Sequence, residues 1–277
     1  MTAVTEEHVL VGGLGFPEEP RWRDGALWFI DIWRKAVIGV NETGAQVGRY
    51  ELGFRPGGIG WLPDGKLVVA DVEANRVVAV RPWTGAQCTH ADLSRLTRTR
   101  TNGLCAARDG TLYVTSIGSD LQTQGDRASG NIIRVAPDGT ATVICEDDLM
   151  FPNGVALTPD EKFLVIAETF GERVSILDLG NAGRRWSVPA PGTYPDGICA
   201  AGDESFWFAD ARGKRCLKGS LAGEITETRR FSRLCYAPAV NADRSRLYAT
   251  VADGYDPTAS ARGNAAVVWT PLKPQSP

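Results

Sequence analysis

Residues 61–71 read WLPDGKLVVAD, in which a turn around Asp64 and Gly65 is followed by an apolar run. Pro, Asp and Gly favour a tight turn, and Val-rich runs favour a β-strand. The same pattern of a turn aspartate and a strand-like run occurs six times in the chain. The runs are ALWFID, KLVVAD, TLYVTS, FLVIAE, SFWFAD and RLYATV, and the aspartates are Asp24, Asp64, Asp109, Asp160, Asp203 and Asp243.

The spacing of these aspartates predicts the fold. Successive members lie 40, 45, 51, 43 and 40 residues apart. A repeat of this length built from short strands is typical of a β-propeller, in which each repeat forms one four-stranded blade. We therefore predict an all-β, six-bladed propeller that forms a single domain over residues 1–277. The last repeat supplies only three strands, so we expect the N-terminal segment HVLVGGL to close the ring as its outer strand.

Composition excludes several functional classes. The chain has 277 residues, a formal net charge of −3 and no concentrated basic region that would indicate nucleic-acid binding. Its apolar runs are strand-length, far below the about 20 residues of a membrane helix, and its N-terminus lacks the basic start of a signal peptide. We expect a cytoplasmic protein with neither nucleic-acid nor membrane partners. Its six cysteines form no C-x-x-C pair, which favours free thiols.

Equivalent positions of the repeat converge on one point. In a propeller the first strand of each blade lines the central channel, so residues at matching positions of these strands meet around the axis. Seven residues before the turn aspartate of blades two to six, and six residues before it in blade one, the chain places Glu18, Gly57, Asn102, Asn153, Asp196 and Tyr236.

Four of these positions carry an oxygen-bearing side chain, and oxygen ligands suit Ca²⁺, Mg²⁺ or Mn²⁺. The only histidines, His8 and His90, fall elsewhere, which argues against a histidine zinc site. Asn-Gly and Asp-Gly are also common turn dipeptides, so each position alone fits an ordinary turn. Their recurrence at one point of the axis favours a metal site built from Glu18, Asn102, Asn153 and Asp196.

Other acidic residues also recur. Asp31, Asp71, Glu168 and Asp210 each end the second strand of a blade. We expect them to form structural hydrogen bonds from one blade to the next rather than to take part in catalysis. Glu19, which follows Glu18, is expected to point away from the channel because neighbouring side chains alternate along a strand.

At the axial residues the chain resembles the SMP-30/gluconolactonase/LRE-like family, which includes regucalcin and the sugar lactonases. The resemblance covers nearly the whole chain. The matching motifs are E-x-P-x-W at residues 18–22, R-x-N at 100–102, P-N-G at 152–154 and P-D-G at 195–197. It implies one divalent metal ion in the channel mouth, with Ca²⁺ expected first and Mn²⁺, Mg²⁺, Zn²⁺ or Fe²⁺ as alternatives.

The resemblance also implies roles for individual residues. Glu18, Asn153 and Asp196 would hold the metal, Asn102 would contact the metal or the substrate, and Arg100 would bind substrate oxygens. Asp196 would also be the general base. In addition, the repeat alignment makes Tyr236 a candidate substrate contact, or simply a plug of the channel beside Gly57.

One departure concerns the substrate. Gly103 stands where sugar-lactonase members often carry Asp, which removes a polar contact to a sugar hydroxyl. No G-x-S-x-G elbow, Walker loop or EF-hand loop is present in the sequence. We therefore expect a metal-dependent hydrolase that opens a small-molecule lactone or related ester. The alternatives are a phosphotriesterase-like hydrolase and a non-catalytic Ca²⁺-binding propeller.

Overall fold

The computed structural model describes residues 5–118, 129–181, 183–202, 204–260 and 262–272. The described strands form six four-stranded antiparallel sheets. The inner strand of each sheet contacts the inner strands of the sheets before and after it, so the sheets form a ring. This confirms the predicted all-β, six-bladed propeller.

The strands follow one another as the repeat predicts. The first is β1 (His8–Leu14). Blade one contains β2 (Pro17–Arg23), β3 (Ala26–Asp31), β4 (Ala36–Asn41) and β5 (Gln46–Glu51). Blade two contains β6 (Pro56–Trp61), β7 (Leu67–Asp71), β8 (Arg76–Val80) and β9 (Gln87–Asp92). Blade three contains β10 (Arg100–Ala106), β11 (Leu112–Ile117), β12 (Asn131–Val135) and β13 (Ala141–Cys145).

The second half of the chain repeats this arrangement. Blade four contains β14 (Pro152–Leu157), β15 (Phe163–Glu168), β16 (Arg173–Asp178) and β17 (Arg185–Pro189). Blade five contains β18 (Pro195–Gly202), β19 (Ser205–Asp210), β20 (Arg215–Ser220) and β21 (Ile225–Arg230). Blade six contains β22 (Leu234–Val240), β23 (Arg246–Ala252) and β24 (Ala265–Pro271), with a short helix α1 (Pro257–Ser260) before β24.

The N-terminal strand closes the ring. Strand β1 pairs antiparallel with β24, and the sheet order is β1-β24-β23-β22. His8 lies opposite Trp269 in this pairing, and their rings stack with centroids 4.3 Å apart. The predicted closure is therefore confirmed, and β1 covers what would otherwise be the exposed edge of β24.

Four of the recurring aspartates bond the backbone of the turn between the first and second strands: Asp64, Asp109, Asp160 and Asp243. Asp64 accepts a hydrogen bond from the backbone N–H of Lys66 at 3.1 Å, and Asp109 accepts one from Thr111 at 2.8 Å. An aspartate that bonds the backbone two residues later stabilises such a turn locally, which explains why the residue recurs. Asp203 lies outside the described residues.

The acidic residues at the ends of the second strands form structural hydrogen bonds and ion pairs. Glu168 accepts a hydrogen bond from the backbone N–H of Met150 at 2.7 Å and pairs with Arg173 at 3.0 Å. Asp210 pairs in the same way with Arg215, at 2.9 Å. These bonds tie the loop before the inner strand, and the start of the third strand, to the second strand. The expected structural hydrogen bonds are therefore present, and they reach the connection from the preceding blade rather than its strands.

The apolar core lies between neighbouring sheets. All residues of β7 are buried, and the largest fully buried side chains include Trp207, Tyr248 and Phe29. Each such side chain contributes about 1.5–3 kcal/mol through burial. All six cysteines are free thiols, and the sulfurs of Cys216 and Cys235 lie 3.5 Å apart. None of the helices in the described ranges is long and apolar enough to cross a membrane.

Candidate active site

A cavity of about 340 Å³ opens at one end of the channel. The six aligned inner-strand residues all line it: Glu18, Gly57, Asn102, Asn153, Asp196 and Tyr236. Arg100 lines the same cavity from the first residue of β10. The structure thus brings every predicted site residue to one place. Their roles in metal and substrate binding stay predictions.

A β-bulge accompanies each aligned position. In every blade the pairing of the first two strands shifts register there, for example between Glu18 and Arg21 in blade one and between Thr101 and Leu104 in blade three. The same shift occurs in the other four blades. A bulge interrupts the ladder and turns a side chain out of its regular alternation. The bulges therefore present the site residues to the cavity.

The glycines that follow the site asparagines allow close approach of neighbouring strands. A Cβ atom on Gly103 would lie 2.5 Å from the backbone oxygen of Asn153, and one on Gly154 would lie 2.6 Å from that of Asp196. Both glycines lie within strands, β10 and β14. The ordinary-turn interpretation of the Asn-Gly dipeptides is therefore wrong. At position 103 the backbone of Asn153 leaves no room for any side chain.

The amide of Asn153 is oriented by its neighbours. Its Nδ2 donates to Thr169 Oγ1 at 3.1 Å, and Thr169 Oγ1 donates to the backbone carbonyl of Pro195 at 2.7 Å. Because the single hydroxyl proton of Thr169 is used on Pro195, Thr169 can only accept from Asn153. Asn153 Oδ1 therefore faces Asn102, whose Nδ2 donates to it at 2.6 Å. Thr169 follows β15 and lies outside the aligned inner strand β14, so the repeat alignment does not reach it.

The two site carboxyls have raised pKa values. Burial, and then the negative charges of Asp196 and Glu19, raise the pKa of Glu18 well above its usual range. Burial, and then the charge of Glu19, raise the pKa of Asp196 to about 8, while a hydrogen bond from Asn153 lowers it. Neither Glu18 nor Asp196 forms an ion pair with another described residue. Two acidic groups thus share one cavity without a direct ion pair, although Arg55, Arg100 and Arg212 line the same cavity.

Glu19 differs from its predicted orientation. It adopts a left-handed conformation with φ of 50°, which turns its side chain towards the channel. Its carboxylate pairs with Arg21 at 2.6 Å, and Arg21 also donates to the backbone carbonyls of Leu104 at 3.0 Å and Val155 at 3.3 Å. Glu19 lines the site cavity and Arg21 lines a second cavity. The expectation that Glu19 points away is wrong, and the pair lies between the two cavities.

The donor set fits a hard divalent cation. No group of three or more His, Cys, Asp or Glu side chains in the described ranges is arranged to hold a metal. A site here therefore depends on amide oxygens in addition to the carboxylates of Glu18 and Asp196. Asn153 Oδ1 has two lone pairs, and Asn102 uses one of them. Oxygen ligands of this kind suit Ca²⁺, Mg²⁺ and Mn²⁺.

Aromatic side chains form the wall above the acidic residues. Phe16 contacts Tyr236 and Tyr255 edge-on, with ring centroids 4.6 Å and 5.0 Å apart. Phe151 and Phe170 contact each other at 4.8 Å on the opposite side of the ring. Burial, followed by the charges of nearby carboxyls, raises the pKa of Tyr236, so its hydroxyl keeps its proton. The cavity thus combines an acidic floor with an apolar wall.

Comparison with known proteins places this site in context. The protein STRICTOSIDINE SYNTHASE-LIKE 4 of Arabidopsis thaliana is 24% identical over 217 residues, which are 73% of this chain and 58% of that relative. The chain therefore spans less than two thirds of the length of this relative.

Two solved structures share the fold. The calcium-binding protein regucalcin from Agrobacterium tumefaciens has a TM-score of 0.77 at 20% identity, over 97% of this chain and 95% of its own. A gluconolactonase from Xanthomonas campestris has a TM-score of 0.77 at 19% identity, over 97% of this chain and 90% of its own. At these identities the likeness shows the fold alone. The sequence profile of the SMP-30/Gluconolactonase/LRE-like region matches residues 16–253, and the chain belongs to this family.

Proposed function

We propose that this protein is a metal-dependent hydrolase that opens a lactone or a related ester. The observation that carries the proposal is the meeting of Glu18 and Asp196 in one cavity, beside the amides of Asn102 and Asn153, with neither carboxyl ion-paired to a described residue. Membership of a family that includes gluconolactonases supports the choice of reaction.

The residues that would hold the metal are Glu18, Asn153 and Asp196, with Asn102 beside them. Ca²⁺ is the first candidate, and Mn²⁺, Mg²⁺, Zn²⁺ and Fe²⁺ are alternatives. When bound, the cation would polarise the ester carbonyl, stabilise the negative charge that develops on its oxygen and keep both carboxylates ionised.

The protein's own side chains transfer the protons and orient the substrate. Ionised Asp196 accepts a proton from the attacking water as the new C–O bond forms, a role that contributes about 10²–10⁴-fold when the base is well placed. The ring C–O bond then breaks, and Asp196 returns the proton to the leaving alkoxide oxygen. Arg100 and the protonated hydroxyl of Tyr236 line the same cavity and donate hydrogen bonds to substrate oxygens.

A panel of small lactones, aryl esters and aryl phosphotriesters with a pH-indicator readout tests this function. We expect lactone opening that is lost after chelation and restored by adding back one divalent cation. Asp196→Asn should abolish it, whereas Asp243→Asn, at an exposed turn, should not. Hydrolysis of phosphotriesters alone would favour the phosphotriesterase alternative. Cation binding without hydrolysis of any compound would favour a non-catalytic calcium-binding propeller.

A further inference from the structure

Arg55 lies at the rim of the cavity with unused hydrogen-bonding capacity. It precedes β6 by one residue and lines the cavity. Its guanidinium lies over the rings of Trp33 at 5.2 Å and Tyr255 at 5.8 Å, and it donates to the Tyr255 hydroxyl. It forms no ion pair with a described carboxylate. Both Arg55 Nε and Trp33 Nε1 are buried without an acceptor in the described part of the chain.

A second arginine lies across the mouth of the cavity. Arg212 follows β19 in blade five, and Arg55 belongs to blade two, so the two come from opposite sides of the six-membered ring. The guanidinium of Arg212 lies over the ring of Tyr194 at 4.1 Å, and both residues line the cavity. Arg212 also forms no ion pair with a described side chain. Stacking on an aromatic ring holds a guanidinium plane in place while leaving its N–H groups for a ligand.

The charges around the cavity do not cancel once a cation is present. The carboxylates of Glu18 and Asp196 would balance one divalent ion, and Glu19 is paired with Arg21. Arg100, which also lines the cavity, has an interaction of its own. The charges of Arg55 and Arg212 are then left over, which makes the mouth of the cavity positive. A positive mouth above an apolar wall suits a ligand that has an apolar body and an anionic group.

We propose that the substrate is a lactone or ester that carries a carboxylate, and that Arg55 and Arg212 recognise this carboxylate. The inference rests on the proposed hydrolytic function and names its substrate class. The planar guanidinium matches the two oxygens of a carboxylate, which is why arginine favours such groups. A neutral substrate would leave both arginines without an anionic partner in the cavity.

A matched pair of substrates tests the inference. 5-Oxotetrahydrofuran-2-carboxylate and its carboxamide share one lactone ring and differ mainly in charge. We expect kcat/KM of the parent protein to be at least about tenfold higher for the acid, as the loss of a charge-assisted hydrogen bond implies. R55Q/R212Q should remove this preference by lowering the value for the acid, while the value for the amide changes by less than about threefold.

Two further variants control for folding and for charge. R55K/R212K keeps both charges and should keep part of the preference for the acid. R49Q removes an arginine of the outer strand β5, where Arg49 pairs with Glu51 at 2.6 Å, and should behave as the parent does. An R55Q/R212Q protein that is folded and keeps the parental acid-to-amide ratio would overturn the inference, as would a parent that prefers the amide.

Calorimetric titration of the metal-loaded protein with the same two compounds separates this inference from the proposed function. If neither lactone is opened but the acid binds more tightly than the amide, and only with both arginines present, the recognition is correct and the hydrolysis is not. If both lactones are opened equally well, the hydrolysis is correct and the recognition is not. No binding and no turnover of either compound would overturn the inference.

Discussion

Thr169 accepts a hydrogen bond from Asn153 over 3.1 Å and donates one to the carbonyl of Pro195 over 2.7 Å. The bond from Thr169 to Pro195 links blade four to the inner strand of blade five. It decides which way the Asn153 amide faces, and so whether its oxygen is available beside the carboxylates. Thr169 also lines the cavity, and its hydroxyl positions Asn153.

Thr169→Val should weaken metal binding, because valine has the shape of threonine but no hydroxyl to hold the amide. Removing a group that orients a metal ligand typically costs about 10–100-fold in metal affinity. Thr169→Ser keeps the hydroxyl and should stay close to the parent. The check is calorimetric titration of the chelated proteins with Mn²⁺. Parental affinity in folded Thr169→Val would show that Thr169 does not orient a ligand.

The stability of the metal-free protein should fall as the pH rises. The folded state raises the pKa of Asp196 to about 8, and the pKa of Glu18 shifts in the same direction. A carboxyl of an unfolded chain has a pKa of about 4, so between about pH 4 and about pH 8 the folded state binds more protons than the unfolded state. The stability that protonation provides is complete below this window and is lost as the pH rises through it.

Thermal unfolding in the presence of a chelator, measured from about pH 5 to about pH 8, checks whether the stability falls as the pH rises. Asp196→Asn cannot ionise at this position, so its melting temperature should fall less over the window than that of the parent. The difference between the two proteins is the readout, because other groups titrate in both. If the melting temperatures of the two proteins changed in parallel with pH, Asp196 would ionise in the folded protein as it does in the unfolded chain.

Removing the closing strand should expose the edge of β24. Deletion of residues 1–14 takes away β1, including Leu14, which is 4% exposed and packs in the core between blades six and one. We expect aggregation and a large loss of stability, and Leu14→Ala alone should cost about 2–5 kcal/mol. Val9→Thr, at a position that is 62% exposed, should cost less than about 0.5 kcal/mol. Chemical denaturation measures the stability of the three variants. A truncated protein as stable as the parent would show that β1 is not needed to close the ring.

Close packing of the inner strands should make Gly58 intolerant of a methyl group. A Cβ atom there would collide with the backbone nitrogen of Leu104, whereas one on Gly53 would meet nothing within 4 Å. Gly58→Ala should destabilise the protein by about 1–3 kcal/mol or more, because backbone must move to make room. Gly53→Ala is the matched control and should be nearly neutral. Equal denaturation midpoints would show that the strands can separate freely.

Most of the architecture could be predicted from the sequence because each repeat is marked by residues that lie close together along the chain. The turn aspartates mark the first hairpin of each blade, and Asp64 and Asp109 bond the backbone within their own turns. A count of residues back from such a turn stays within one strand, so it locates Asn102 and Asn153 without knowledge of the rest of the molecule. The N-terminal strand could be assigned because the last repeat lacked one strand.

The remainder of the site depends on loops and on local distortion. Thr169, Arg55 and Arg212 lie outside the aligned strand positions, so a count along the repeat does not reach them. The alternation of a regular strand predicts that Glu19 points away from the channel. The bulge in β2 and the φ of 50° at this residue break that alternation. Such distortions arise where inner strands crowd around the axis, which is a contact between blades rather than a pattern within one.

In the proposed function, hydrolysis depends on one divalent cation that Glu18 and Asp196 hold. Its most direct measurement is calorimetric titration of the chelated protein with Ca²⁺ and Mn²⁺, with elemental analysis of the bound metal. We expect saturable binding of one ion per chain, proton release that increases as the pH is lowered towards neutrality, and loss of binding in Glu18→Ala and Asp196→Ala. Absence of saturable binding, or lactone opening at the parental rate by protein shown to contain no metal, would contradict it.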